Sequence, residues 1–302
     1  MQVMSPSRTS VRSRWLLVAG GILGLVALAF GLRGADAAFH GLDHARELTA
    51  SLRVQLSKAD DASNRAVMAD TDEASHVFAG QAEQATALLE HDMAQLRAVL
   101  RKLELKRELD ALDAFQGHWS KYRKLDREIL TLAVENTNIK AQRLSFGPSR
   151  EAANSFRDAL ANVSATVPPQ ERCRAEAAVD HAVLAVREIQ ILQAPHIAEA
   201  DDAAMTQLEQ EMTTLQARAR EALATLTQSA EPSTRPHLTN AVSALDRFQE
   251  VSAQIVDLSR RNSNVRSLTL ALRERPALAV ACDDSLQGLQ EALAKERYKA
   301  TR

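Results

Sequence analysis

The chain of 302 residues is poor in several residue types, and each shortage excludes something. Two Cys cannot build a disulfide framework, and their wide spacing fits neither a Cys-rich zinc site nor c-type haem attachment. Aromatic residues make up 4%, with 10 Gly and 8 Pro, which is too few aromatics and turn formers for a β-sandwich or barrel. No Gly-rich phosphate loop and no nucleophile elbow occurs, so the chain reads as a non-enzyme without a cofactor. A basic excess is missing too. Residues 1–33 hold four Arg and no acid, which leaves 33 basic and 39 acidic side chains and a net charge of −6 beyond them. Such a surface offers no electrostatic footprint for nucleic acid.

What the chain does have is helix-forming sequence, rich in Ala, Leu, Glu, Gln and Arg, with 45% hydrophobic residues. Trp15–Leu32 is an unbroken run of apolar residues and Gly. As a helix it measures about 27 Å, enough to span hydrocarbon. Arg8, Arg12 and Arg14 precede it, Arg33 follows, and Trp15 stands where an interfacial aromatic belongs. The positive-inside bias keeps residues 1–14 in the cytoplasm, makes 15–33 a transmembrane helix and exports the remainder. Ala35-Asp36-Ala37 offers the alternative of a cleaved signal peptide, which exports the same residues.

The exported part carries a direct repeat at an offset of 126 residues. ILTLAVENTNIKAQRL from Ile129 matches IVDLSRRNSNVRSLTL from Ile255. Leu112, Trp119, Tyr122 and Leu125 match Leu238, Leu245, Phe248 and Val251, and Glu83-Gln84 matches Glu209-Gln210. Apolar residues at intervals of three and four, such as Leu112, Phe115, Trp119, Tyr122 and Leu125, form helical core stripes. With boundaries at the Pro and Gly clusters, helices are predicted near 36–69, 71–103, 108–146 and 148–164, then 170–194, 197–228, 236–274 and 276–298. Asp70 with Glu73 resembles a capping box for the second. The expected fold is all-α: a transmembrane helix followed by two tandem antiparallel four-helix bundles, 36–164 and 170–298.

An N-terminal anchor, exported helices, the Trp119/Tyr122 pair, the Asn motif and the closing stretch NSNVRSLTLALRERPALAVACDDSLQGLQEAL coincide in one chain. Together they resemble the four-helix-bundle periplasmic sensor domain of bacterial methyl-accepting chemotaxis receptors, here in two copies. The resemblance implies a homodimer in the inner membrane that binds a small molecule or a loaded binding protein and shifts one helix against its neighbours. Such receptors continue into a second membrane helix and a cytoplasmic coiled coil. This sequence has neither, which implies either an accessory sensor with output through a second membrane protein or a truncated receptor. Bimodular helical sensors, with two long helices shared by two bundles, are related; the direct repeat argues for tandem modules instead. Nitrate and type IV pilus sensors share an Asn-to-Arg stretch, echoed weakly by Gln142-Arg143.

The duplicated Asn136, Asn138, Asn262 and Asn264 are the leading site candidates, because Asn is unfavourable within a helix. One reading places them in a pocket where Arg143 or Arg266 holds an anionic ligand. The plainer reading is that a buried Asn fixes helix register. Trp119 and Tyr122 read as core. Glu73-x-x-His76 lacks the further ligands of a di-iron bundle, and His40 with His44 lacks a third ligand, so no metal is expected. Cys282 reads as a small buried hydrophobe, and Cys173 falls near a helix start. The rival to the sensor is a membrane-tethered helical scaffold or spacer without a small-molecule ligand. An unshared pocket between helices lined by at least two polar groups favours the sensor, and fully packed modules with only an exposed apolar stripe favour the scaffold.

Overall fold

The computed structural model describes the backbone of residues 11–228 and 230–300 and the side chains of residues 39–228 and 230–296. The chain is all-helical, with no strand among the described residues. Its helices are α1 (Val11–Met68), α2 (Asp72–Lys102), α3 (Lys106–Glu135), α4 (Thr137–Leu144), α5 (Arg150–Thr166), α6 (Arg172–Ala198), α7 (Asp202–Gln228), α8 (Arg235–Arg261), α9 (Ser263–Arg273) and α10 (Arg275–Ala300). A π-helical turn, Ser145–Ser149, joins α4 to α5. The candidate membrane helix at 15–33 lies outside the residues whose side chains are described. Among the described residues no helix is long and apolar enough to cross a membrane.

Two compact units result. One comprises Met1–Lys58, Gln84–Ser120 and Val280–Arg302; the other comprises Ala59–Glu83 and Lys121–Ala279. In the first, Leu52, Leu89, Leu96, Leu112, Phe115, Leu286 and Leu289 are fully buried. Polar pairs tie its helical segments. Arg53 on α1 donates to both oxygens of Asp283 on α10, at 3.0 and 3.1 Å. Ser51 donates to Asp92 on α2 at 2.6 Å. Phe115 and Trp119 stack with ring centroids 6.4 Å apart.

Among the described residues the second unit holds three apolar clusters. α5, α6, α7 and α8 share the largest, built on Phe156, Leu160, Ile189, Leu215, Leu245 and Phe248. A second joins Ala62 and Ala66 of α1, Ala82 of α2, Ile129 and Ala133 of α3, and Ala271 of α9. A third joins Ala141 of α4, Ile197 of α6, and Val251 and Ile255 of α8.

These groupings differ from tandem modules at 36–164 and 170–298. α5, the last helix of the first repeat, shares its core with α6, α7 and α8 of the second. Residues from 280 onward, the last helix of the second repeat, group with segments of α1, α2 and α3. The physical reason is that no hairpin loop forms where the fourth helices are expected to begin, since α4 passes into α5 through the π-helical turn and α9 into α10 across Glu274 alone, and none forms at Asn136 and Asn262. Each interrupts its helix for one residue, at φ 51° and 53°. Helical hairpins use connections of roughly two to eight residues, so a one-residue break leaves α3 to run on into α4, and α8 into α9. Gly147-Pro148 is no boundary either. It sits inside the π-helical turn, whose wider backbone spares Pro148 the clash with a preceding carbonyl. Pro195 likewise lies inside α6. The α2 cap is Thr71, whose Oγ1 accepts from the Ala74 N–H at 3.1 Å, in place of the Asp70/Glu73 box.

Candidate functional site

The repeated Asn motifs meet. Asn136-Thr137-Asn138 and Asn262-Ser263-Asn264 lie face to face in the second unit, with Thr137 and Asn138 each bonded to its counterpart 126 positions on. A helix start exposes N–H groups that need acceptors. Here each helix caps the other. The Thr137 N–H donates to Ser263 Oγ at 3.0 Å, and the Ser263 N–H donates to Thr137 Oγ1 at 3.0 Å. The Asn138 N–H donates to Asn264 Oδ1, and the Asn264 N–H to Asn138 Oδ1, both at 3.1 Å. The amide groups extend the exchange. Asn138 Nδ2 donates to Asn262 Oδ1 at 2.8 Å, and Asn264 Nδ2 to Asn136 Oδ1 at 2.9 Å.

The same amides close the end of α6. Asn138 Nδ2 donates to the Ile197 carbonyl and Asn262 Nδ2 to the Glu199 carbonyl, each at 2.7 Å. Ser75 of α2 donates to the Ala133 carbonyl at 2.9 Å, filling the place of the Thr137 N–H that has turned away. The four Asn are thus spent on one another and on helix ends. Asn136 Nδ2 is buried without a partner among the described residues. Arg143 and Arg266, proposed beside them as anion holders, are both exposed, and Arg143 lies 3.7 Å from Asp72. The motif is a joint between two helices.

Two further polar clusters escaped the sequence reading. The first surrounds Arg275, buried at the start of α10. Its guanidinium lies 3.3 Å from both Asp60 and Asp126 and also donates to Ser63 and Asn64. Ser63 donates to Asp126 at 2.6 Å and Tyr122 to Asp60 at 3.0 Å. Burial pushes the Asp126 carboxyl above its ordinary value, against the pull of Ser63 and Arg275. Burial, then the charges of Asp126 and Asp60, also raises the Tyr122 hydroxyl.

The second cluster is a Ser–His–Glu chain. His196 Nδ1 contacts Ser259 Oγ, and Nε2 lies 2.8 Å from Glu209 Oε1. Arg260 donates to both Glu209 oxygens, at 2.6 and 3.0 Å, and holds that carboxyl below its usual range. His196 and Ser259 have no exposed surface, and Ser259 Oγ also donates to the His196 carbonyl at 3.2 Å. The chain fastens α6 to α7 and α8.

Beside the π-helical turn, α5 and α6 enclose a groove of about 390 Å³. Its walls include Phe146, Arg150, Arg157, Val183, Arg187 and Ile191, and no acidic residue lines it. The turn is pinned from behind. Ser145 donates to Gln193 Oε1 at 2.7 Å, and Gln193 Nε2 donates to Ser149 at 3.1 Å and to Ser252 at 3.2 Å. Among the described residues no group of three or more His, Cys, Asp and Glu is placed to hold a metal ion. Both cysteines are free, Cys173 exposed and Cys282 buried, with burial pushing the Cys282 thiol up to about 12.

No family model, curated protein or solved structure matches the chain.

Proposed function

We propose that the chain is a membrane-anchored, periplasmic helical sensor of the chemoreceptor type, working as a homodimer. Its ligand-binding part would consist of two four-helix bundles. The connectivity fits the bimodular arrangement better than tandem modules, because α1, α2, α3 and α10 each contribute residues to both units. The observation that supports sensing is the α5–α6 groove, whose lining includes Arg150, Asn154, Arg187 and Gln190, polar side chains that internal bonding does not use. A spacer needs no such opening. A ligand there would act by population shift, moving the helix equilibrium only by its differential affinity for two arrangements.

The test is thermal unfolding of the full chain against small carboxylates, amino acids, aromatic acids and nitrate. Ligand at one hundred times its dissociation constant adds about 2.7 kcal/mol to the folded state. A rise in melting temperature for one compound class is expected. A flat response across the panel would favour the scaffold.

A further inference from the structure

We infer that the α5–α6 groove binds a small amphipathic organic anion, one acidic group on an aromatic or short aliphatic body, with Arg150 and Arg187 receiving the charge. This rests on the sensor reading and names the ligand class.

Three observations meet at the groove. The first is uncompensated charge. Arg150, Arg157 and Arg187 line it with no acid among them. Arg157 is occupied by Asp158, at 2.8 and 3.0 Å. The side chains of Arg150 and Arg187 have no hydrogen-bond or ion-pair partner among the described residues, whereas Arg53, Arg97, Arg123, Arg220, Arg260 and Arg275 are all paired with carboxylates. A neighbouring groove between α6 and α7, of about 490 Å³, balances Arg174 and Arg218 with Glu188 and Glu221 in its own lining. Charge complementarity therefore selects an anion for the first groove and no charge for the second.

The second observation is apolar surface in the same groove. Phe146 is 59% exposed and Ile191 71%, beside Val183, Val186 and Ala153. An inorganic anion would leave that surface wet, while an apolar body would cover it. The third is size and order. About 390 Å³ suits a small molecule, and the Ser145–Gln193–Ser149 bonds fix the turn that carries Phe146 and leads into Arg150. Planar guanidinium groups pair with a carboxylate in two-point fashion.

Calorimetric titration of the full chain with phenylacetate, hexanoate, 2-phenylethanol and inorganic phosphate tests this. At least one of the two acids is expected to bind ten-fold or more tightly than 2-phenylethanol and phosphate. The Arg150→Gln/Arg187→Gln chain, changed at two exposed positions, should keep its melting temperature and lose that preference. Equal binding of acid and alcohol, or acid binding untouched by the double substitution, overturns the ligand class. If another compound then raises the melting temperature, the sensor reading stands without it. Failure of both acids, together with a flat thermal panel, ends both.

Discussion

Asn136 and Asn262 carry the two positive φ angles on which the helix breaks depend. Asparagine tolerates the left-handed region better than other side chains, and Asn136 also supplies the Oδ1 that accepts from Asn264. These roles separate by substitution. Asn136→Gly keeps the backbone conformation and leaves the Asn264 amide short of an acceptor, a loss of about 1–3 kcal/mol. Asn136→Ala adds about 1–2 kcal/mol of left-handed strain. Urea denaturation followed by circular dichroism should therefore rank wild type above Gly and Gly above Ala. Equal stability of the two variants would mean an unstrained backbone at 136. Glu209 gives a pH test. Its folded-state carboxyl is held low, chiefly by Arg260, so its contribution is present above the unfolded value of about 4.3 and is lost as pH falls through the folded value. Glu209→Gln should flatten the acid limb of the stability profile relative to wild type, and an unchanged profile would remove Glu209 from that account.

At the scale of the element, the π-helical turn shows how a helix absorbs Gly147-Pro148 without ending. Gln193 is the fastening, because it satisfies Ser149 and Ser252, both buried, as well as Ser145. Gln193→Leu should cost about 1–3 kcal/mol, the scale of leaving buried polar groups unsatisfied, and should speed amide exchange within 145–149. Unchanged exchange there would place the cause of the turn elsewhere. The helices themselves were largely legible, since stripes of three- and four-residue spacing extend over most of each one. Two features were not. Pro at 148 and 195 reads as a terminator from sequence alone, because a π turn or a last helical turn accommodates it only through tertiary context. The breaks at Asn136 and Asn262 had a signal, Asn-x-Asn twice within helical pattern, but a signal for interruption says nothing about what receives the freed N–H groups.

At the scale of the molecule, the repeat was legible and its pairing was not. Tandem modules and exchanged fourth helices bury the same apolar stripes, so the pattern is identical for both. What decides is that a one-residue break cannot reverse the chain, and that Thr137 and Ser263 cap each other's helices. The candidate groove was illegible for a similar reason. A free arginine such as Arg187 and a paired one such as Arg260 look alike until their neighbours are placed. Arg275 was equally hidden: nothing in the sequence distinguishes it from a surface arginine, yet it is buried between two aspartates. The duplicated Asn motif is therefore the joint that links the two repeats, and it does not line the α5–α6 groove.

That joint is open to direct measurement. Thr137 Oγ1 and Ser263 Oγ are 3.2 Å apart, close enough for a disulfide to replace them. In a Cys173→Ser/Cys282→Ala background, the Thr137→Cys/Ser263→Cys chain should form an intramolecular disulfide on mild oxidation. It would appear as a faster-migrating band of monomer mass that reverts with reductant. Two free thiols after oxidation, or cross-links solely between chains, would contradict the pairing of the repeats on which the account stands.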